Sequence, residues 1–105
     1  MGEINKEYKV VISERATDIL IEHIRFLTAV NLQAANKLRV EMMEFTESIR
    51  HFPSRNPFIY DPLFPANKYR KLVINERYLM IYQIKDEVVY VDYILDCRQN
   101  YQWLL

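Results

Sequence analysis

The strongest constraint on the fold is the pattern of residues 69–95, which reads as three consecutive strands joined by very short turns. The strand candidates are residues 69–74, 77–85 and 88–95. Asn75-Glu76 and Asp86-Glu87 fill the two turns, where residues such as Asn tolerate a positive φ. Strands joined by two-residue turns pair antiparallel, so this part of the chain predicts a three-stranded antiparallel unit.

The middle strand predicts two different faces, because successive side chains point to opposite sides of a sheet. One face is apolar and consists of Tyr78, Met80, Tyr82 and Ile84. The other is mixed and consists of Arg77, Leu79, Ile81 and Gln83. The last strand places Val89, Val91, Tyr93 and Leu95 on a single face. We therefore expect one buried face and one half-solvated face.

The first half of the chain predicts one short strand and two helices. Residues 8–12 are rich in β-branched side chains, which favours a strand. Apolar residues at helical spacing follow the capping residue Ser13 to about Ala29, and a second such pattern begins after Asn31. The second helix is expected to end near Phe52, because a proline comes next. The two helices have almost no linker, which predicts an antiparallel hairpin.

All four prolines lie in residues 53–67, between the second helix and the three-stranded antiparallel unit. Proline at this density excludes a helix interior or a central strand, and the aromatic residues of the segment predict an ordered loop packed on the rest of the chain. The element order β-α-α-β-β-β then predicts a single α+β domain over residues 1–105. In this arrangement the helical hairpin covers one face of an antiparallel sheet, and Arg70, Arg77 and the tail converge on the other.

Composition excludes several function classes. Fourteen basic residues balance fourteen acidic ones, so net charge does not favour nucleic-acid binding. The single glycine, Gly2, excludes a P-loop and a dinucleotide fingerprint. One cysteine and two histidines give no cluster at metal-ligand spacing, and we expect no metal and no cofactor. The lone Cys97, with neither an N-terminal signal core nor an apolar run of membrane-spanning length, predicts a cytoplasmic protein.

Two motifs stand out in this element order. Residues 77–84 read Arg-Tyr-Leu-Met-Ile-Tyr-Gln-Ile, and residues 94–101 read Ile-Leu-Asp-Cys-Arg-Gln-Asn-Tyr. The first is similar to the third-strand pattern, and the second to the closing motif, often Ile-x-His-x-Arg followed by an aromatic residue, of the RelE/ParE superfamily of toxins from type II toxin–antitoxin systems, which includes plasmid stabilisation proteins. The resemblance extends over nearly the whole chain.

The resemblance implies a growth-inhibiting toxin neutralised by a cognate antitoxin protein. It leaves the target open between DNA gyrase, inhibited without catalysis by ParE-like members, and mRNA, cut on the ribosome by metal-independent RelE-like endoribonucleases. A degenerate member that binds an antitoxin without toxicity is a third alternative.

The same resemblance implies the candidate site residues. Arg98 matches the arginine of the closing motif, which in a ribonuclease would stabilise charge on the scissile phosphate. Tyr101 stands where RelE-like enzymes often place a tyrosine, and Arg70 matches a basic residue on their second strand. Two further candidates come from the residues themselves. Arg77 is a candidate catalytic residue because it lies on the same strand face as residue 79, and Lys68 belongs to a local excess of basic residues. Arg70 and Lys68 are candidates for binding RNA or another target.

Two positions depart from the ribonuclease pattern. Leu79 stands where ribonuclease members usually carry an arginine, and Asp96 stands where many members carry a histidine. Arg77 lies two residues before Leu79, a displacement of roughly 7 Å along the strand, and catalysis tolerates only about 1 Å. These departures favour a ParE-like member, while Arg98 together with Tyr101 keeps the enzyme alternative open.

Overall fold

A computed structural model describes residues 6–97 of the chain. The elements are β1 (Lys9–Ile12), α1 (Glu14–Val30), α2 (Leu32–His51), β2 (Tyr69–Ile74), β3 (Tyr78–Lys85) and β4 (Val88–Asp96). This is the predicted order β-α-α-β-β-β. A short 3₁₀ turn, Pro53–Arg55, follows α2. Within the described ranges no helix is long and apolar enough to cross a membrane.

The four strands form one sheet in the order β1-β4-β3-β2. The meander β2-β3-β4 is antiparallel, as its short turns require, whereas β1 pairs parallel with β4. The sheet is therefore mixed. Parallel pairing of β1 needs a long crossover connection, and the two helices and the meander supply it.

Local capping explains where the helices begin and end. The Ser13 side chain accepts a hydrogen bond from the Ala16 backbone N–H at 3.0 Å and donates one to the Asp92 carbonyl at 3.0 Å, which fixes the start of α1 against β4. Asn31 alone separates the helices, and its side chain accepts from the Ala34 N–H at 3.1 Å. The helical hairpin is thus formed as predicted, with one residue at its corner.

The two tight turns of the meander use left-handed backbone conformations. Asn75 and Glu76 have φ of 57° and 53°, and Asp86 has φ of 58°. Residues with short polar side chains adopt this region at low cost, and two successive positive φ values match the right-handed twist of adjacent strands. The turns predicted from sequence are therefore the turns that define the register of β2, β3 and β4.

The larger core lies between the helical hairpin and the sheet. Its helical residues are Ala16, Leu38, Met42, Phe45 and Ile49, and its strand residues are Ile74, Tyr78, Met80, Tyr82, Val89, Val91 and Ile94. The apolar face predicted for the middle strand is therefore the face that the helices cover. Each large side chain buried there stabilises the fold by about 1.5–3 kcal/mol.

The opposite face of the sheet is buried at its centre and partly exposed around it, where Val73 is 40% exposed, so the expectation of a half-solvated face fails at the centre alone. Leu79 and Ile81 are fully buried in a second core with Ile59 and Cys97, and Phe64 packs against them. Ile59 and Phe64 belong to residues 53–67, the proline-rich segment, which crosses this face. The middle strand is consequently buried on both sides, which alternation alone did not reveal.

A β-bulge corrects a second expectation, that β4 keeps one apolar face. The register of β3 against β4 shifts between Ile81 and Tyr82, where Ile81 pairs with Tyr93 but Tyr82 pairs with Val91. The extra residue, Asp92, reverses the alternation of β4. Val91 therefore packs under the helices, while Tyr93 packs in the second core.

Candidate functional site

Three of the five predicted site residues lie in the described part of the chain. They are Arg77, Arg70 and Lys68, whereas Arg98 and Tyr101 lie outside it. Arg70 is paired across the sheet with Tyr82, and Arg77 precedes Tyr82 by five residues. At about 3.3 Å per residue this separates the two arginines by about 16 Å along β3. The expectation that Arg70 and Arg77 converge on one face is therefore wrong.

Arg77 is held by a carboxylate. The Asp96 Oδ2 atom accepts hydrogen bonds from Arg77 Nη2 at 3.0 Å and from Nε at 3.2 Å. The Asp96 side chain is only 5% exposed, so this ion pair is largely shielded from water. The Arg77 guanidinium also lies 5.1 Å from the Tyr78 ring centroid. The arrangement neutralises the candidate catalytic arginine within the fold.

The position that departs most from the ribonuclease pattern is sealed. Leu79 has no exposed surface and lies in the second core, beneath Ile59 of the proline-rich segment. An arginine at this position would place its stem in an apolar cluster and its charge away from water, which is strongly unfavourable. Leucine at residue 79 and an ordered segment above it are thus parts of one packing arrangement.

Arg70 fastens the proline-rich segment to the sheet. Its Nη1 atom donates to the Asn56 carbonyl at 2.6 Å and to the Ser54 carbonyl at 3.1 Å, and its guanidinium lies 3.9 Å from the Phe58 ring centroid. Two backbone hydrogen bonds reinforce the same junction, from the Ile59 N–H to the Tyr69 carbonyl and from the Lys71 N–H to the Pro57 carbonyl. A residue predicted to bind a target thus has a structural task as well.

Tyr82 supports the same junction from the core. Its hydroxyl donates to the Pro53 carbonyl at 2.5 Å and accepts from Asn56 Nδ2 at 3.0 Å. Burial raises the pKa of the Tyr82 phenol, against the smaller lowering effects of the Asn56 hydrogen bond and the Arg70 charge. The phenol therefore stays protonated at neutral pH and acts as a hydrogen-bonding group, not as a base.

Lys68 is the most accessible of the three described candidates. It is exposed, precedes β2, and its Nζ atom lies 5.4 Å from the Tyr69 ring centroid. It faces solvent at the edge strand, where a charged residue can meet a partner and also discourages edge-to-edge association.

A polar cluster on the second face was not predicted from the sequence. Asp92 Oδ2 accepts from Gln83 Nε2 at 2.7 Å and from the Tyr69 hydroxyl at 3.1 Å. Burial, then the hydrogen bond and charge of Asp92, raise the pKa of Tyr69 to about 12. Arg15 lies over the neighbouring Tyr93 ring at 5.3 Å. An acidic residue inside an otherwise apolar strand was the available signal, because a half-buried carboxylate requires partners.

Other reactive groups give little chemistry. Cys97 is buried, and burial together with the Asp96 charge raises the pKa of its thiol, which leaves it a poor nucleophile. His23 lies 3.3 Å from the Tyr78 hydroxyl through Nδ1, and His51 contacts Glu47 at 2.8 Å. Among residues 6–97, no group of three or more His, Cys, Asp or Glu side chains could hold a metal ion.

Comparison with known proteins identifies the fold. No protein-family model matches the sequence, and no curated protein matches it. The structure is similar to one chain of the chromosomal ParDE toxin–antitoxin system from P. aeruginosa, with a TM-score of 0.68. The match covers 88% of this chain and 98% of that chain at 10% sequence identity. The RelE/ParE-like α+β fold predicted from the sequence is thereby confirmed.

Proposed function

We propose that this chain is the toxin component of a type II toxin–antitoxin pair, and that it inhibits growth by binding a protein target until a cognate antitoxin neutralises it. The fold shared with a ParDE system supports the toxin assignment. The closing motif around Arg98 supports the toxin assignment independently, because the motif is a feature of the sequence, whereas the similarity to the ParDE chain is one of structure. The cytoplasmic location expected from the lone cysteine is part of the proposal.

The burial of Leu79 carries the choice of a protein target over RNA. Metal-independent cleavage of RNA needs cations at the scissile phosphate in an open groove. Here the position that would supply one is a leucine with no exposed surface. Arg77 is paired with Asp96, and Arg70 donates to two backbone carbonyls. These contacts favour a ParE-like inhibitor, with DNA gyrase as the candidate target.

The second candidate is a metal-independent, ribosome-dependent mRNA endoribonuclease, and the specific observation favouring it is the pair Arg98 and Tyr101. Both residues match RelE-like positions. In that case catalysis would depend on these two residues, with little help from the rest of the sheet. A degenerate member without toxicity is the remaining alternative.

Growth assays and assays of the purified protein distinguish the protein-binding inhibitor, the ribonuclease and the member without toxicity. Induced expression should stop growth, and co-expression of a cognate antitoxin should restore it. Purified protein should then block supercoiling by gyrase while ribosome-bound mRNA stays intact. The matched variants are Arg98→Ala and Lys85→Ala, an exposed lysine at the end of β3.

Each alternative has its own signature. Cleaved mRNA with unaffected gyrase, abolished by Arg98→Ala and retained by Lys85→Ala, would replace the inhibitor with the nuclease. Normal growth under strong expression of folded protein would leave only the degenerate member.

A further inference from the structure

A strip of alternating aromatic rings and cations runs along the junction between the proline-rich segment and β2. We name it the ring–cation strip, and its members are Phe52, Arg55, Phe58, Tyr60, Lys68 and Arg70. The function proposed above does not use this surface, since that function concerns a protein target.

Direct contacts connect most of the strip. The Arg55 guanidinium lies 4.7 Å from the Phe52 ring centroid, and the Arg70 guanidinium lies 3.9 Å from that of Phe58. The Phe58 and Tyr60 rings are 6.4 Å apart in an edge-on arrangement of 74°. These contacts form two groups of rings and guanidiniums, and the hydrogen bonds from Arg70 to the Ser54 and Asn56 carbonyls, on either side of Arg55, connect them.

Lys68 lies at the start of the same edge. Phe58 and Arg70 form an antiparallel bridge, and the Ile59 N–H donates to the Tyr69 carbonyl at 2.7 Å. Lys68 is exposed two residues before Arg70, and its Nζ atom lies 5.4 Å from the Tyr69 ring centroid. The exposed cation Lys68 thus adjoins the edge to which Phe58 is bridged.

The strip combines a rigid base with accessible rings. Arg70 is fixed by two backbone carbonyls, so the base does not need to be ordered on binding. Tyr60 is 78% exposed and Phe52 is 54% exposed, although a chain gains stability by burying such rings. Exposed aromatic faces on a pre-ordered backbone are suited to stacking against a flat partner.

Charge selects the class of partner. Residues 52–71 contain four cations, Arg55, Lys68, Arg70 and Lys71, against one anion, Asp61, a net charge of +3. Because the whole chain is neutral, the remaining residues carry −3. The strip is therefore a local basic surface, although the chain as a whole has no net charge. The complementary partner is an anion that also carries flat, stackable groups.

We propose that the ring–cation strip binds single-stranded nucleic acid, DNA or RNA, without cleaving it. Bases would stack on Tyr60 and Phe52, and phosphates would contact Arg55 and Lys68. Stacking of bases on aromatic side chains beside backbone-tracking cations is the general mode of sequence-tolerant single-strand binding. The strip extends beyond the two target-binding residues expected from sequence, because its stacking groups are Tyr60 on the proline-rich segment and Phe52 at the end of α2.

The test is fluorescence anisotropy with labelled 12-nucleotide oligo(dT) and oligo(U). Tyr60→Ala should weaken binding by about fivefold or more, the loss expected for one stacked base, while Tyr60→Phe retains it. Two phosphate contacts predict that log K falls with log salt at a slope of about −1.4, and Arg55→Ala should reduce the slope by about 0.7. The matched control is the double variant Arg25→Ala/Phe26→Ala, which removes an exposed cation and ring from α1.

Comparison of the affinities for oligo(dT) and oligo(U) distinguishes a DNA ligand from an RNA ligand, because the strip is assigned to whichever nucleic acid binds more tightly. An equal loss of oligonucleotide affinity in the Arg25→Ala/Phe26→Ala control would overturn the proposal. Full displacement of the oligonucleotide by oligo-glutamate at matched charge would also overturn it, because charge alone would then explain binding. Failure of the wild-type chain to bind either oligonucleotide at low salt would overturn it directly. Circular dichroism of each variant confirms that binding is compared between folded proteins.

Discussion

At the scale of single residues, the pairing of Arg77 with Asp96 gives a stability prediction. Arg77→Met removes the guanidinium that is paired with the largely buried Asp96 carboxylate, and should lower the free energy of unfolding by about 3 kcal/mol. Replacing both residues, as Arg77→Met/Asp96→Leu, should recover much of the loss, because no charge then remains to be desolvated. Urea denaturation of the two variants measures both values. A single variant within 0.5 kcal/mol of wild type, roughly the range of ordinary surface substitutions, would show that Arg77 is not a structural residue.

Leu79 provides a sharper contrast. Leu79→Arg introduces the residue that a ribonuclease would carry, but into a fully buried site, and should lower the free energy of unfolding by about 3–5 kcal/mol. Val73 is the matched control, because it faces Leu79 across β2 and β3 yet is 40% exposed. Val73→Arg should cost less than about 1 kcal/mol. Thermal unfolding of both variants tests the contrast, and a folded Leu79→Arg protein with new RNA cleavage would contradict our account of this face.

The Tyr69 phenol predicts a loss of stability at alkaline pH. Its pKa is raised from 10.0 to about 12 by burial and by Asp92, so the folded state holds this proton more tightly than the unfolded state does. The resulting stability is fully present below pH 10 and is lost as the pH rises from 10 towards 12. Absorbance titration of tyrosinate should show a late-titrating group that Tyr69→Phe removes. A Tyr69→Phe titration that superimposes on wild type would assign the late group to another tyrosine.

At the scale of elements, the proline-rich segment should depend on Arg70. Arg70→Ala removes two hydrogen bonds and one stacking contact, and should lower the free energy of unfolding by about 2 kcal/mol. Arg70→Lys keeps the charge but not the fork of donors, and should restore only part of it. Hydrogen exchange at the Ile59 and Lys71 amides reports the segment directly, and Lys68→Ala is the control. Unchanged exchange in Arg70→Ala would show that the segment is held without this arginine.

The elements also show what the sequence could and could not predict. Strands, helices and turns follow from local signals such as Ser13, Asn31 and the positive-φ residue Asn75, so they were predicted nearly to the residue. The second core was missed because the residues that cover it, Ile59 and Phe64, come from the proline-rich segment and not from the strands. The bulge at Asp92 was missed because a strictly alternating pattern does not predict an extra residue in a strand. The bulge moves every later side chain of β4 to the opposite face of the sheet.

At the scale of the whole molecule, shape persists where sequence does not. A TM-score of 0.68 at 10% identity means that the fold depends on the order of elements and on apolar pattern more than on particular side chains. The candidate site is the reverse case, because its chemistry depends on particular side chains such as Leu79 and Asp96. The architecture of the fold could therefore be predicted from the sequence, whereas the candidate site depends on contacts between residues that are distant in sequence.

The parallel pairing of β1 with β4 has a consequence for how the protein is made. The bond from Ser13 to Asp92 joins residues 79 positions apart, and within residues 6–97 β4 is the one strand that pairs with β1. During synthesis the first strand must therefore wait, unpaired, until almost all of the following chain exists, and contacts of such long range form late and slowly. Until then the helical hairpin has no finished sheet to cover. For the toxin proposed above, this order of events means that the working shape forms only after β4 has been synthesised, which would give an antitoxin time to bind first.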